Sequence, residues 1–419
     1  MAAPHRNRMP PMLSKGRPRR AALTGRMQIL ASTSPIAFDE ALALSREGVM
    51  TRETASTLIH ARAGDELDSL LQAAGELRNR LKGRRITYSK KVFIPLTNLC
   101  RDYCGYCTFR KDPGDVGALT MTADQVLAVA EAGARLGCKE ALFSLGDRPE
   151  AIFPEMRETL ARLGHRTTLS YLAEMCERVL NETGLLPHAN PGLMGRRDLE
   201  TLRRFSPSMG LMLESTSERL TLPGMPHDNA PDKPPSLRLK TIEEAGRLKI
   251  PFTTGILIGI GETLEERVDS LFAIRELHER YGHIQEVIIQ NFRAKPEIPM
   301  RSHPEPSMTD HARTIAVARL VLWDMNVQVP PNLSDERYPF LLKAGLNDWG
   351  GISPLTPDFI NPEKPWPNID RLAERTAAEG FELVERLSVY PEYVHSSEFI
   401  DARLLSRMRS MADDRGLTV

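Results

Sequence analysis

Strands and helices alternate along most of this chain, and this alternation limits the folds open to it more than any other feature. Between residues 86 and 353, short apolar or β-branched runs alternate with longer amphipathic stretches, which is typical of βα units. Several runs are apolar on both faces, as buried parallel strands are. Eight strands are predicted, at residues 91–97, 140–146, 185–190, 209–215, 251–259, 286–292, 327–333 and 345–351.

Eight strands in alternation with helices favour a closed α/β barrel of the (β/α)8 TIM type over an open doubly wound sheet. In such a barrel, binding and catalytic residues lie at the carboxyl ends of the strands. Three capping boxes, in which a hydroxyl residue is followed three positions later by Gln or Glu, indicate helix starts. They begin at Thr122, Thr241 and Thr263.

The ends of the chain lack this alternation. Residues 1–34 are rich in Arg, Pro and small residues and predict a basic disordered tail, although a transit peptide has the same composition. Residues 35–83 have apolar residues three and four apart and predict a helical lead-in. The barrel is expected at residues 84–364, followed by a C-terminal helical extension at 365–419 that is broken near Pro391.

The composition argues against several functional classes. Lys and Arg together number 55, as do Asp and Glu, so no overall charge attracts nucleic acid or an anionic membrane. No apolar run approaches the roughly 18–20 residues that cross a bilayer. Five cysteines are too few, and odd in number, for a disulfide scaffold, which favours a reducing, cytoplasmic location. The ten histidines form no HExxH or Ser/His/Asp arrangement that would support hydrolase chemistry.

Three of the five cysteines, Cys100, Cys104 and Cys107, crowd into eight positions directly after the first predicted strand. Thiolates at these spacings on one loop can converge on a single centre. A structural zinc site needs four protein ligands, and Cys138 and Cys176 stand alone. A 4Fe–4S cluster held by three thiolates leaves one iron open for a substrate or cofactor. The spacing favours iron–sulfur over zinc, and a disulfide that leaves one thiol unpaired is the third alternative.

The spacing C-x3-C-x2-C, with the aromatic Tyr106 before the last cysteine and a barrel strand before the first, resembles the radical S-adenosylmethionine (SAM) superfamily. The resemblance implies a radical SAM barrel with one 4Fe–4S cluster, held by three Cys ligands. Its open iron would bind the amino and carboxylate groups of SAM. One electron would then cleave the sulfonium to give a 5′-deoxyadenosyl radical, so that the cofactor carries the difficult chemistry.

Segments after nearly every predicted strand carry a closer resemblance. They include YSKKVFIPLTNLCRDYCGYCTFR, KEALFSLGDRPE, TLSYL, GLLPHANPG, PSMGLMLES, IPFTTGILIGIGET, GHIQEVIIQNFRAK and NDWGGISPLTPDFINPE. Over roughly residues 35–400, these segments together resemble subunit 1 of the 7,8-didemethyl-8-hydroxy-5-deazariboflavin synthases.

This resemblance implies a lyase that closes the deazaflavin ring in the biosynthesis of coenzyme factor 420. Its small-molecule substrate would be 5-amino-5-(4-hydroxybenzyl)-6-(D-ribitylimino)uracil, and ammonia would be lost. A separate subunit 2 is expected to supply this adduct, since some actinobacterial relatives fuse two such halves, and ferredoxin or flavodoxin is expected as electron donor. The alternatives are another radical SAM activity (subunit 2 itself or a futalosine-pathway enzyme) and a non-catalytic zinc protein.

Polar residues at two predicted strand ends are candidates for SAM binding. Ser144, Gly146 and Asp147 end the second strand, where the superfamily usually has Gly-Gly-Glu and holds the SAM amino group; the Leu-Gly-Asp found here departs from that pattern. Glu214 ends an apolar strand, where an unpaired carboxylate is costly to bury, which favours a ligand role. By resemblance Glu214 contacts SAM, and a salt bridge to Arg219 is the alternative.

The resemblance adds candidates on two further strands. Gly255 and Gly259 would let the adenosine of SAM lie against the fifth strand, although they do not match the Rossmann spacing. Gln290 and Asn291 end the sixth strand, where contacts to the adenine edge are expected. Ordinary polar residues of a barrel top are the alternative for each.

The second substrate is expected to bind near the last strand. Asp348, next to two glycines, is the candidate catalytic residue, because its carboxylate can bind polyol hydroxyls or accept a proton. A tight turn with a capping Asp is the alternative. Arg293 and Lys295 are placed to meet pyrimidine carbonyls, unless they are plain solvated surface.

Overall fold

Eight parallel strands close into a barrel in the computed structural model, which describes residues 36–419. The strands are β1 (Arg85–Thr97), β2 (Glu140–Leu145), β3 (Leu186–Asn190), β4 (Ser208–Gly210), β5 (Phe252–Ile258), β6 (Ile284–Asn291), β7 (Val327–Gln328) and β8 (Asp348–Ile352). Neighbouring strands pair in this order, and β1 pairs with both β2 and β8, which closes the ring. The predicted (β/α)8 TIM-type fold is therefore confirmed. The expected basic tail, residues 1–34, lies outside the described residues.

Helices surround the barrel and extend it at both ends. Across residues 36–419 they are α1 (Phe38–Arg46), α2 (Arg52–Ile59), α3 (Asp65–Lys82), α4 (Ala123–Arg135), α5 (Pro154–Arg162), α6 (Thr168–Glu182), α7 (Arg196–Leu202), α8 (Pro235–Arg247), α9 (Leu264–Tyr281), α10 (Met308–Leu322), α11 (Ile369–Ala378), α12 (Pro391–Val394) and α13 (Ala402–Ser410). None of these helices is long and apolar enough to span a membrane. Helices α2 and α3 pack on α9 and α10, where Leu58 and Leu70 are fully buried.

The predicted helix starts agree with the structure at two of three positions. Thr122 and Thr263 cap α4 and α9, and each forms a complete capping box. The third prediction is wrong, because Thr241 lies in the middle of α8. That helix begins at Pro235, since proline suits the first turn of a helix, where its missing N–H is not needed.

The segment after the barrel contains a strand that the sequence did not predict. β9 (Glu382–Glu385) pairs in parallel with Arg85–Tyr88 at the start of β1. Further along β1, Lys91–Thr97 pair with β2. The long first strand therefore leaves free pairing groups before β2 begins, and β9 takes them up. Four residues are too few for a strand periodicity to stand out in the sequence.

Candidate active site

The three cysteines lie on a loop, residues 100–107 (the cysteine loop), that leaves the carboxyl end of β1. All three cysteine residues are half-buried, and all three line a cavity of about 260 Å³ at the mouth of the barrel. By contrast, Cys138 and Cys176 are buried in the apolar core, away from this cavity. The sequence prediction that the three cysteines form one site separate from the other two agrees with this placement.

Backbone N–H groups already point at the first of these sulfurs. The backbone N–H of Asp147 donates to Cys100 Sγ over 3.2 Å, and that of Asp102 does so over 3.4 Å. Such bonds stabilise a metal-bound thiolate and tune its cluster. Burial raises the pKa of the Cys100 thiol to about 12, and burial also raises the pKa of the Cys104 thiol. A bound metal supplies the positive charge that deprotonates such thiols.

The separation of the three sulfurs bears on whether all three could bind a single zinc ion. Thiolates around one tetrahedral zinc, each about 2.3 Å from the metal, lie about 3.8 Å from one another. Among residues 36–419, the group of three or more potential ligands whose atoms all lie within 4.8 Å of one another consists of aspartates, Asp102, Asp147 and Asp232, and not of the cysteines. The three sulfurs therefore do not all lie within 4.8 Å of one another, which is farther apart than the thiolates around one tetrahedral zinc ion.

These three buried aspartates line the same cavity beside the cysteine loop. Burial raises the pKa of Asp102 to about 8, and the neighbouring charge of Asp232 adds to this effect. Burial is also the largest single influence on Asp232, but the charges of Arg238, 2.9 Å away, and of Lys233 together with smaller contributions outweigh it and lower the pKa of Asp232 to about 2. Asp147 forms an ion pair with Arg101. The cluster offers carboxylate oxygens that can accept hydrogen bonds from an ammonium group.

Glu214 lies in the cavity wall in a left-handed backbone conformation, with φ of 66°. Its backbone N–H and carbonyl both bond to β5, through Gly255 and Leu257, and this pairing holds the strained residue in place. Its carboxylate lies 2.9 Å from Lys233 Nζ. Burial is the largest single influence and opposes ionisation, but the charges of Lys233 and Arg238 and the hydrogen bond from Lys233 together outweigh it, so the pKa of Glu214 is lowered. The expected alternative partner, Arg219, instead binds Glu266.

The other predicted SAM-binding residues divide into two groups. Tyr106, Ser144, Gly146 and Gln290 line the cavity with the cysteines, as do Asn291, Arg293 and Lys295. Gly146 also packs against the cysteine loop, because a Cβ atom there would lie 2.0 Å from the Leu99 carbonyl oxygen.

Gly255 and Gly259 do not line this cavity, which corrects their predicted contact with adenosine. A Cβ at Gly255 would lie 2.2 Å from the Ile288 carbonyl oxygen, and a Cβ at Gly259 would lie 2.2 Å from Pro306 Cγ. Both glycines therefore allow close packing within the protein. The adjacent Leu257 is the β5 residue that faces the cavity.

Asp348 is not at the barrel mouth, and its predicted role as a catalytic residue is therefore withdrawn. It is the first residue of β8, at the opposite end of the barrel, and it is fully buried. Arg386 Nε lies 2.6 Å from its carboxylate and also binds Glu286. The carboxylate lines neither the cysteine cavity nor the cavity inside the barrel. Its ion pair with Arg386 therefore gives Asp348 a role in stabilising the fold and not in binding a substrate.

Sequence reasoning missed the basic side of the site. Arg238 is buried in the cavity wall, Lys233 lies there with its side chain 11% exposed, and Asp232 lies beside them. Asp232 and Lys233 lie in the segment between β4 and α8, and Arg238 lies in the first turn of α8. None of the three belongs to a motif, and the fold of this region over the barrel mouth decides their positions. Asp102 could have been found, since a charged residue inside a cysteine motif is close to any bound group.

The comparisons with known proteins agree with this geometry. Residues 94–274 match the radical SAM superfamily. The 7,8-didemethyl-8-hydroxy-5-deazariboflavin synthase of Methanopyrus kandleri is 51% identical over 331 residues, which are 79% of this chain and 99% of that protein. The chain belongs to this synthase family. As a member of the radical SAM superfamily, this synthase-family chain is expected to use a 4Fe–4S cluster and SAM.

Other relatives of the synthase family are longer. The FO synthase of Streptomyces avermitilis is 49% identical over 397 residues, and that of Mycobacterium tuberculosis is 48% identical over 395 residues. These matches cover 91% and 90% of this chain but only 46% of each relative, so the chain spans about half their length.

Solved structures show the same fold at low identity. The [FeFe]-hydrogenase maturase HydG has a TM-score of 0.68 at 16% identity, over 83% of this chain and 76% of that one. Methylornithine synthase (PylB) has a TM-score of 0.64 at 19% identity, over 82% of this chain and 97% of that one.

Proposed function

We propose that this chain is the ring-closing lyase of deazaflavin synthesis, acting on 5-amino-5-(4-hydroxybenzyl)-6-(D-ribitylimino)uracil with loss of ammonia. The observation that carries the proposal is the continuity of two cavities. The cysteine cavity shares Ser144, Asn190, Met212 and Gln290 with a second cavity of about 190 Å³ inside the barrel (the lumen). One compartment beside the cysteines therefore opens into another that can hold a second molecule.

The cysteine loop is the proposed holder of one 4Fe–4S cluster, with Cys100, Cys104 and Cys107 as its ligands. When bound, the cluster and SAM together supply a carbon-centred radical by one-electron cleavage of the sulfonium. The carboxylate of Asp147 is the proposed acceptor for the SAM ammonium group, because it is buried in the cavity wall beside Cys100. Ser144, Tyr106, Gly146 and Gln290 form other parts of this wall.

One loop lines both compartments and is the proposed shield of the space between them against water. Residues 358–361, in the loop after β8, line the lumen, and two of them, Ile360 and Asn361, also line the cysteine cavity. Asp358 holds this loop in shape by accepting the backbone N–H groups of Ile360 and Asn361. A closed, dry site protects reactive species from side reactions, which radical chemistry requires.

Glu214 and Lys233 are the proposed contacts to another polar part of SAM. Glu214→Gln removes a charge but keeps the shape, and leaves Lys233 beside Arg238 without its carboxylate. We expect SAM binding to weaken by about 1–3 kcal/mol. Arg219→Gln is the control, because Arg219 binds Glu266 and does not line the cavity. Equal SAM affinity in the Glu214→Gln and wild-type proteins, measured by equilibrium dialysis, contradicts this contact.

The proposed partners follow from the reaction. Subunit 2, a second radical SAM barrel, is the proposed partner that joins the tyrosine-derived group to the ribitylamino uracil. Ferredoxin or flavodoxin is the proposed donor of the electron. We place the protein in the cytoplasm, where such thiols stay reduced. The relatives that are about twice as long as this chain are consistent with two cooperating halves.

The deciding experiment supplies each substrate set to the anaerobically reconstituted protein with SAM and a reductant. The purified adduct alone should give fluorescent deazaflavin and ammonia, whereas tyrosine with the ribitylamino uracil should give none until subunit 2 is added. Cys104→Ala should abolish product and iron, while Cys138→Ser should retain both. Formation of the adduct from tyrosine, with no conversion of the purified adduct, identifies the chain as the other half of the synthase. Deazaflavin from tyrosine without a partner shows that one chain performs both steps, and a colourless, zinc-loaded protein without product refutes radical chemistry.

A further inference from the structure

The lumen contains buried polar groups that have no partner in the described part of the chain. Gln328, on β7, is 4% exposed and lines the lumen, yet neither its amide nitrogen nor its amide oxygen makes a hydrogen bond there. A Cβ atom at Gly350 would lie 2.3 Å from Gln328 Nε2, so that glycine makes room for the amide. Buried polar side chains are rarely left unpaired in native proteins. Gln328 is therefore a free donor and acceptor facing an enclosed space.

His188 presents a second free group to the same space. Ser208 Oγ donates its hydrogen to the Ser388 carbonyl oxygen over 3.0 Å, so it must accept from His188 Nδ1, which lies 2.8 Å away. Nδ1 therefore carries the hydrogen, and Nε2 has a lone pair without a partner among the described residues. Burial lowers the pKa of His188 to about 4, which keeps the ring neutral at physiological pH. The lumen thus gains a fixed hydrogen-bond acceptor.

The charges around these two groups are already paired. Lys91 Nζ lies 2.6 Å from Glu140, and Arg386 lies 3.0 Å from Glu286. Among the described residues that line the lumen, no unpaired cation is left to bind a phosphate or a carboxylate. Lys91 keeps two further N–H donors, since Nζ makes one hydrogen bond in the described structure. The lumen therefore suits an uncharged molecule rich in groups that both donate and accept, and hydroxyl groups do both.

The two ends of the lumen differ in character. At the mouth, the rings of Phe93 and Trp366 stack with centroids 5.0 Å apart and, with Ile360, form an apolar wall. Deeper in the barrel, His188, Gln328 and the two ion pairs form a polar floor. A molecule with a planar ring at one end and a hydroxylated chain at the other matches this gradient in one orientation only.

We propose that the lumen is a polyol-binding subsite, in which His188 Nε2 and the Gln328 amide bind the hydroxyl groups of the second substrate's ribityl chain. The chain enters first, and the ring system stays at the mouth, next to the cysteine cavity. This inference rests on the proposed function, since that function supplies a substrate with such a chain. It adds the orientation of the substrate and the two side chains that select for its hydroxyl groups.

The test compares two fluorescent probes by equilibrium dialysis against the reconstituted protein with SAM. The probes are the ribityl-bearing deazaflavin product and the same ring system with a methyl group in place of ribityl. Wild-type protein should bind the ribityl probe at least about 10-fold more tightly, because several hydrogen bonds distinguish the two. Gln328→Leu and His188→Phe should each weaken binding of the ribityl probe about 5- to 10-fold and change binding of the methyl probe less than about 2-fold.

Gln72→Leu is the matched control, since this substitution makes the same chemical change as Gln328→Leu at an exposed position on α3, away from the lumen. Equal binding of the two probes by wild-type protein overturns the proposal, as does a loss that is the same for both probes in both variants. Turnover of the adduct separates this proposal from the proposed function. Turnover without discrimination between probes refutes the polyol subsite alone, and discrimination without turnover refutes the ring-closing assignment alone.

Discussion

Gly146 directly follows β2 and packs against the start of the cysteine loop, and Gly146→Ala therefore tests how that loop is held in place. A Cβ atom at this position would lie 2.0 Å from the Leu99 carbonyl oxygen and 2.6 Å from Cys100 Cβ. Non-bonded carbon atoms prefer separations of about 3.5 Å, so the loop or the strand has to move by more than about 1 Å. Both of the contacted residues belong to the segment that places the first cysteine.

The size of the effect follows from what this movement disturbs. Two hydrogen bonds join the same segments: Asp147 N–H to Cys100 Sγ over 3.2 Å, and Arg101 N–H to the Asp147 carbonyl oxygen over 3.1 Å. Overpacking costs about 1–3 kcal/mol and each lost hydrogen bond about 0.5–1.5 kcal/mol, which gives roughly 2–6 kcal/mol in all. Even the lower figure weakens cluster binding by about 30-fold.

The assay measures iron per chain, absorption near 400 nm and thermal midpoint after anaerobic reconstitution and gel filtration. Gly146→Ala should lose most of its iron, or hold it with a clearly lowered midpoint. Gly195→Ala is the control, because its Cβ would lie 3.4 Å from the nearest atom, Asp198 Oδ2, and its φ of −82° suits alanine. Full iron content, wild-type SAM cleavage and an unchanged midpoint in Gly146→Ala would refute the proposed packing of β2 on the loop.

Three further predictions follow from buried groups. Replacing any one of the three loop cysteines by Ala should abolish SAM cleavage, whereas Cys138→Ser should keep its iron; retained cleavage in any loop variant contradicts the ligand assignment. Asp348→Asn should lower the free energy of unfolding by about 3 kcal/mol in a urea titration, because the buried Arg386 loses one of its two carboxylates, and SAM cleavage by the folded protein should persist. Burial lowers the pKa of His311 to about 4, so the unfolded chain takes up this proton first and stability falls between pH 6.5 and pH 4. His311→Gln should remove about 2–3 kcal/mol of the fall between pH 7 and pH 4.5, and an identical pH profile for variant and wild type would show that His311 does not titrate in this way.

Local patterns predicted much of the fold. The predicted strands overlap the observed ones at all eight positions, because the alternation of apolar strand and amphipathic helix is written in short windows of sequence. β9 was not predicted, since it forms only where the long β1 leaves an edge unpaired. Thr241 was misjudged because its capping box lies inside a helix that a proline had already started.

Within the candidate site, the sequence predicted most readily the residues that lie close together along the chain. The three loop cysteines sit within one loop, so their proximity needs no tertiary information. Glu214 was placed correctly at the mouth, but its partner Lys233 reaches it through a loop of irregular structure, and no periodic pattern indicates such a contact.

What the sequence by itself determined, then, was the barrel, the order of its strands and the cysteine loop, because each depends on neighbours along the chain. The tertiary structure alone decided which end and which face of a strand a residue occupies. Asp348 shows the reason: the predicted strand began three residues too early, and at about 3.3 Å per residue such a shift moves a side chain about 10 Å along the barrel. The ion pair with Arg386, nearly 40 residues later, then holds this carboxylate at the end of the barrel opposite the cysteine cavity.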